Sequence, residues 1–483
     1  VPDCGEVGGE YNFSKGANSK GHGPLVIFGR PVNHFAAFAH AVWLPKFRRR
    51  CAALEAVATT DYAAAVEAMD KLGGPCSSAV YWLKSLPPTA FEDRHEGHTV
   101  EDALDLAEHE WLRLVAVIAD SGEVLDRQRV FGGSPGLGHA PLTVNTRHWA
   151  AVGLAKGFAG AVALARRLLL DVSRWARLLD LDTDLSRGAS GAASQAANHN
   201  VALREVQSAL DARIPLEQAA EARQVNLWQA ALRPPGRLPD LAGLSCVALG
   251  RTVDRATVVK VALRRVLGLP VWQAFGIRPI CGAPCTLCAG VRTIVGGSGV
   301  GAMLDGDGLH VTACAAVQGK FGNIARHDAL AKAAAELGRR VGMDSFFHDG
   351  PIFDHGTTTV AHRRYRPADW YCRDESKDFP MGVCHDITIR YEGGAALAAA
   401  ETAKVTHYAD YMKDIRQMGF CPFAVSLGGE IGPAASSTLQ TWSARLAATR
   451  KGAGEPPGQP RDDVLRSFAR AFGAVIVAQQ LAY

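Results

Sequence analysis

The chain has 483 residues, 48% hydrophobic and 21% charged, which allows about two or three domains with their own cores and excludes wholesale disorder. Its 52 basic and 48 acidic residues leave a net charge of only +4. That excludes the pervasive basic excess of a histone-like binder, so nucleic-acid contact must come from local clusters such as Lys46-Phe-Arg-Arg-Arg50, Arg339-Arg340 and His362-Arg-Arg-Tyr-Arg366.

The opening Val1-Pro-Asp-Cys-Gly lacks the charged-then-apolar layout of a signal peptide, and without an initiator Met it reads as the start of a fragment. Residues 1–24 are Gly-, Ser- and Lys-rich loop. Leu25-Val-Ile-Phe28 is a short strand closed by Gly29-Arg-Pro31. From Phe35 to about Met69 apolar residues recur at helical spacing, with Thr59-Thr-Asp61 as a break and a new N-cap. Helices are expected over 101–120, 146–182 and 199–232, with turns such as Gly132-Gly-Ser-Pro-Gly136 and a hinge from Ser186 to Gly191 between them. Within them Gly153 to Val172 is the most apolar run, but Lys156, Arg166 and Arg167 interrupt it, so it reads as a buried helix and not a membrane span. Pro234-Pro-Gly236 and Pro239 mark a boundary, followed by a helix from Asp254 to Leu267.

Next comes Cys285-Thr-Leu-Cys288, then 21 residues, then His310-Val-Thr-Ala-Cys314. Cys-x2-Cys brings two thiolates together through a tight turn, and His-x3-Cys does the same from a helix start. The set suits a structural tetrahedral Zn²⁺ with no position left open for catalysis. Cys281 is a spare first ligand, and the alternative is four unrelated core residues. The 11 cysteines are odd in number and mostly scattered, which argues against a secreted disulfide framework and for a reducing nuclear or cytoplasmic setting. The glycine run Gly296–Gly301 lacks the Lys-Ser/Thr ending of a phosphate loop and reads as plain loop.

From Asn323 the pattern turns to α/β. Asn323 is placed to cap a helix to Gly342, with Leu330, Ala334, Leu337 and Val341 on one face. A short strand at 367–372, a strong strand at 383–391, a helix over about 394–415 and a strand Phe420 to Ser426 follow, ending at Gly428-Gly429. A linker at 454–460 precedes a last helix, Asp463 to Gln480. In the strong strand Cys384, Asp386, Thr388 and Arg390 share one face by period two, against Val383, Ile387 and Ile389. If Asp369 lies beside Asp386, the two carboxylates suit Mg²⁺, which activates water and stabilises charge on a phosphate. Lys404 then shares a helix face with Glu401 and Tyr408. The alternative is ordinary exposed acids and a lysine with no shared site. Arg326-His327-Asp328 at a helix start reads as a phosphate or second carboxylate contact, or as a cap.

The order of these motifs resembles the C-terminal part of the reverse transcriptase protein of non-LTR (LINE-type) retrotransposons that end in a cysteine-histidine knuckle and a restriction-like endonuclease. Asn12-Phe-Ser-Lys15, Phe28-Gly-Arg-Pro-Val32 with Phe35, Tyr81-Trp-Leu-Lys-Ser-Leu-Pro-Pro88 and Ser134-Pro-Gly-Leu-Gly-His139 resemble the end of the palm, the thumb and the region after it. Leu263 to Pro270, Cys285, Cys288, Gly308-Leu-His310, Cys314, Gly319 and Arg326-His-Asp328 follow the order that enters the endonuclease. Arg366-Pro-Ala-Asp369, Asp386-Ile-Thr388, Lys404 and Tyr408 follow that of the endonuclease itself, and Phe420-Cys-Pro-Phe-Ala-Val-Ser426 resembles its closing strand.

The resemblance implies a PD-(D/E)xK fold with Asp369 and Asp386 as Mg²⁺ ligands and Lys404 as a catalytic lysine moved onto the helix. It also implies nicking of target DNA to prime reverse transcription of the element's RNA. Arg326, His327, Arg366 and Tyr408 are then nucleic-acid contacts. No Tyr-x-Asp-Asp precedes Lys15, so no polymerase site is expected in this chain. Phe28-Gly-Arg-Pro-Val32 lacks a second glycine, and Arg373–Met381 stretches the interval between the two aspartates, as in a decayed element.

The expected architecture is multidomain: 1–130 end of palm and helical thumb, 131–278 helical connector, 279–322 zinc knuckle, 323–452 α/β nuclease-like domain, 453–483 linker and C-terminal helix. The alternative function is a catalytically inactive, zinc-stabilised nucleic-acid-binding remnant.

Overall fold

A computed structural model of the chain describes residues 26–27, 30–31, 33–72, 79, 81–83, 86, 88–127, 129–130, 226–233, 238, 249–277, 281–286, 288, 303–314, 322–347, 368–373, 375, 378–379, 382–414, 418–452 and 460–482. The segments singled out at 12–15, 132–139, 146–182, 186–191, 199–225, 234–236, 296–301 and 454–459 lie outside them. The chain divides into two compact units. One comprises Val1–Ala53, Leu72–Arg113 and Gly138–Glu221; the other comprises Leu54–Lys71, Leu114–Leu137 and Ala222–Tyr483.

In the first unit β1 (Val26–Ile27) and β2 (Arg30–Pro31) pair antiparallel. A helical run begins at Phe35–Ala37, passes through a π-helical stretch at Phe38–Trp43 and continues as α1 (Leu44–Thr60). Its large apolar residues recur every four or five positions, so they fall on one face. Phe38 and Trp43 meet Trp82 edge-on at 5.5 Å, and Phe47 meets Trp111 at 6.2 Å. In the Leu54–Lys71 segment, which belongs to the second unit, the break falls where the sequence placed it: the Asp61 carboxylate accepts from the Ala64 N–H at 3.0 Å and opens α2 (Tyr62–Leu72). A reciprocal cap opens α3 (Val100–Ile118), with the Thr99 N–H donating to Asp102 Oδ2 at 2.7 Å and the Asp102 N–H to Thr99 Oγ1 at 3.2 Å.

The second unit contains α4 (Leu227–Leu232), α5 (Arg255–Val266, capped by Asp254), α6 (Leu309–Ala313) and α7 (Asn323–Arg340). The residue that caps α7 is Gly322, which has no side chain to contribute, so Asn323 is the first helical residue and not the cap. Then come β3 (Asp344–Phe347), β4 (Trp370–Arg373), β5 (Val383–Arg390), α8 (Ala395–Asp414), β6 (Gly419–Ser426), α9 (Pro433–Gly452) and α10 (Pro460–Ala482). The sheet order is β3-β4-β5-β6. β3, β4 and β5 run antiparallel, and α8 carries the chain over to β6, which is parallel to β5. The small mixed sheet expected after Asn323 is present. Pro422 is accommodated in β6 because that strand is an edge and need not donate outward.

Alternation along β4, β5 and β6 separates two faces. Tyr371, Cys384 and Phe420 share one, where Tyr408 of α8 packs at 5.1 Å from Phe420. Trp370, His385 and Phe423 share the other, against Trp442 of α9 and Phe468 of α10. Helix α10, set apart by sequence as a tail, is buried from Ser467 to Gln480, the condition that an all-round apolar helix requires. Each fully buried Phe or Val on it contributes about 1.5–3 kcal/mol.

Two elements had escaped the sequence reading. Strand β3 has four residues and little alternation. Helix α9 hides Leu439, Trp442 and Leu446 among Ser, Thr and Ala, and its first turn is capped from elsewhere. The buried Glu401 of α8 accepts the Ala434 and Ala435 N–H groups at 2.9 and 3.1 Å. A Cβ at Gly432 would fall on that carboxylate. Gly432→Ala therefore displaces Glu401 and uncaps α9, at an expected cost of about 1–3 kcal/mol in urea denaturation.

Candidate metal centre and acidic site

Cys285 and Cys288 are carried by the turn after Cys281, which is pinned by paired backbone hydrogen bonds between Gly282 or Ala283 and Leu304, each 2.8 Å. His310 and Cys314 are carried by α6. Asp305 fixes the start of that helix by accepting the Leu309 and His310 N–H groups at 2.8 and 2.6 Å. The indole N–H of Trp272 in turn holds the Asp305 carbonyl at 3.0 Å.

The four ligand atoms all lie within 4.8 Å of one another, with Cys285 Sγ 3.9 Å from Cys314 Sγ and Cys288 Sγ 3.5 Å from His310 Nε2. Zn–S bonds of about 2.3 Å in a tetrahedron set S···S edges of about 3.8 Å, close to the Cys285–Cys314 separation, so this donor set suits a metal such as Zn²⁺. Cys285 and Cys314 are buried against Trp272, Leu304 and Val311, whereas Cys281 is exposed and outside the cluster. Cys285 is thus the first ligand of the set and Cys281 is not its substitute.

The acidic residues meet across β4 and β5. Trp370 pairs with His385 in the antiparallel register, which sets Asp369 opposite Asp386. The Asp369 N–H donates to the His385 carbonyl at 2.7 Å, and Asp369 Oδ2 accepts the Ile387 N–H at 2.7 Å. From α8, Lys404 Nζ reaches Asp386 Oδ2 at 2.5 Å and lies 5.8 Å over the Tyr408 ring. From the first turn of α7, His327 Nε2 reaches Asp369 Oδ2 at 3.1 Å while its Nδ1 faces Asp328 at 3.0 Å. Ligand atoms of His327, Asp369 and Asp386 lie within 4.8 Å of one another.

Burial, then repulsion from Asp369, push the Asp386 carboxyl up to about 7 against the pull of Lys404. Burial draws His327 down, but Asp369 and Asp328 outweigh it and hold the imidazole up at about 9, so it is cationic at neutral pH. A buried carboxylate whose proton affinity is raised by a neighbouring one is short of positive charge, and an all-oxygen pair suits a hard divalent cation. The structure therefore brings Asp369, Asp386 and Lys404 together.

The other sequence-predicted contacts fare differently. Arg326 is 6% exposed. It donates to the Thr312 carbonyl and to Gln479 Oε1, tying α7 to α6 and α10, and burial pulls its guanidinium down to about 10. Its reading as a nucleic-acid contact is corrected: a side chain desolvated by the core cannot reach a phosphate. Arg326→Met removes both of these bonds from the core and is expected to lower stability by about 2–4 kcal/mol in chemical denaturation. Tyr408 is likewise buried, with its ring against Phe420 and His407, so it supports the α8–β6 contact and is not a surface reader of bases. Arg366 lies outside the described residues. His327, read in sequence as a contact to phosphate or to a carboxylate beside the site, or as a cap, turns to the acidic pair; its position next to Arg326 at a helix start was the available signal.

None of the described helices is long and apolar enough to cross a membrane. The chain matches no protein-family model, no curated protein and no solved structure.

Proposed function

We propose that the α7–α9 module is a divalent-metal-dependent DNA endonuclease of the kind carried by non-LTR retrotransposon reverse transcriptases, nicking target DNA to prime reverse transcription. The reading is supported chiefly by the meeting of Asp369, just before β4, Asp386, in the middle of β5, and Lys404 of α8. Asp369 and Asp386 would hold Mg²⁺, which when bound lowers the pKa of a water and offsets charge on the scissile phosphate. Asp369 is oriented for this by the Ile387 N–H and by His327. Lys404 neutralises Asp386 before substrate arrives, and with the cation in place its ammonium is free to face the phosphate oxygens. His327, cationic at neutral pH, offers a second positive group beside the phosphate. Attack of water on phosphorus expels the 3′-oxygen, which leaves a 3′-hydroxyl able to act as a primer. The Cys285–Cys288–His310–Cys314 set would hold a structural zinc that orders the chain leading into this module.

Supercoiled plasmid incubated with the protein and Mg²⁺ tests the reading. Nicking by the parent, lost in Asp386→Asn, supports it. Equal DNA binding by both with no nicking would instead favour the catalytically inactive, zinc-stabilised nucleic-acid-binding remnant.

A further inference from the structure

Behind Asp386, on the opposite face of β5, His385 is wholly buried. Its ring stacks on Trp370 at 4.8 Å with an interplanar angle of 3°, and Trp442 closes it edge-on at 6.0 Å. Its Nε2 lies 2.5 Å from Glu375 Oε2, and Glu375 Oε1 accepts the Trp442 indole N–H at 2.8 Å. Cys372, on β4, is also fully buried and contacts Ser345 Oγ at 3.2 Å. One ligand atom each from Cys372, Glu375 and His385 lies within 4.8 Å of the other two. Cys421, the register partner of His385 on β6, adds a second thiol on the same face, with its Sγ 3.1 Å from Thr438 Oγ1.

Glu375 sits at one ring nitrogen, and the Cys372 and Cys421 thiols also lie within hydrogen-bonding reach of the imidazole. A mixed thiol, imidazole and carboxylate set is the donor chemistry of zinc.

We propose that Cys372, Glu375 and His385 form a second, buried zinc site, separate from the Cys285 set. The ion would take Cys372 as thiolate, His385 through one ring nitrogen and Glu375 through a carboxylate oxygen. The ion joins β4, β5 and the segment bearing Glu375 directly behind Asp369 and Asp386, and so holds the acidic pair in register.

Metal analysis of the full chain purified with zinc tests this. Two equivalents are expected in the parent and one in each of Cys288→Ser and Cys372→Ser. One equivalent that Cys372→Ser loses and Cys288→Ser keeps would uphold this site and remove the other. One equivalent lost only in Cys288→Ser, or none at all, would overturn it. Cobalt titration of the zinc-stripped parent decides the matter without a substitution: uptake to two equivalents supports the site, and saturation at one with the tetrahedral Cys3His spectrum alone overturns it.

Discussion

Asp386→Asn is expected to melt at a higher temperature than the parent at pH 7.5 while losing at least about 10³-fold in Mg²⁺-dependent nicking, a loss of about 4 kcal/mol in transition-state stabilisation. The two effects have one cause. Asp386 is buried to 4% exposure and its carboxyl is pushed up to about 7, first by desolvation and then by Asp369. The folded pKa thus lies above the unfolded value of 3.8, so folding favours the protonated acid. The penalty is absent below about pH 4, grows as pH rises and is complete above about pH 7. The full interval corresponds to an upper bound of about 4 kcal/mol. Lys404 at 2.5 Å loses its partner in the variant, so a net gain on the order of 1–2 kcal/mol is the expected result.

Urea denaturation of parent and variant between pH 5.5 and 8, in magnesium-free buffer, measures the difference with shared titrations cancelling. The gap should widen with pH. A variant less stable than the parent at pH 7.5 would make Asp386 a structural ion-pair partner. A stable variant that still nicks would remove it from catalysis. Stored repulsion of this kind is the cost of keeping two acids ready for a cation.

The second large effect concerns the Cys3His set. Cys314→Ser should abolish zinc uptake at this set, lower stability of the zinc-loaded chain by at least about 4 kcal/mol and expose residues 281–314 to protease. Isolated zinc fingers owe about 10–16 kcal/mol to their ion. Here Trp272, Leu304 and Val311 pack on the cysteines and would keep part of the structure without it. Asp305 ties the ligand helix to Trp272, so the damage should spread to the 3₁₀ turn Val271–Phe275. Chelator treatment of the parent should reproduce it. A Cys314→Ser protein with unchanged melting and proteolysis, and a parent indifferent to chelator, would reduce the four residues to ordinary core.

What could be read from sequence was local. Asp61 and Asp254 announced helix starts because a cap binds an N–H only two or three residues away. The Cys-x2-Cys and His-x3-Cys spacings confined each ligand pair to one turn. The β-branched alternation of Val383–Arg390 was strong enough to be a strand in any context. The proximity of Asp369 to Asp386 followed from an antiparallel register that the spacing permitted but did not require.

Tertiary structure alone decided the rest. Residue type does not tell whether a charge faces water or protein, so Arg326 and His327, adjacent in sequence, diverge. One is locked in the core by Thr312 and Gln479, the other turned to Asp369. Helix α9 depends on a carboxylate from α8, and the ring of His385 is defined by Trp370, Glu375 and Trp442 from three separate segments. Periodicity and capping act over about one helical turn, whereas burial and charge pairing are settled only when distant segments exclude water together.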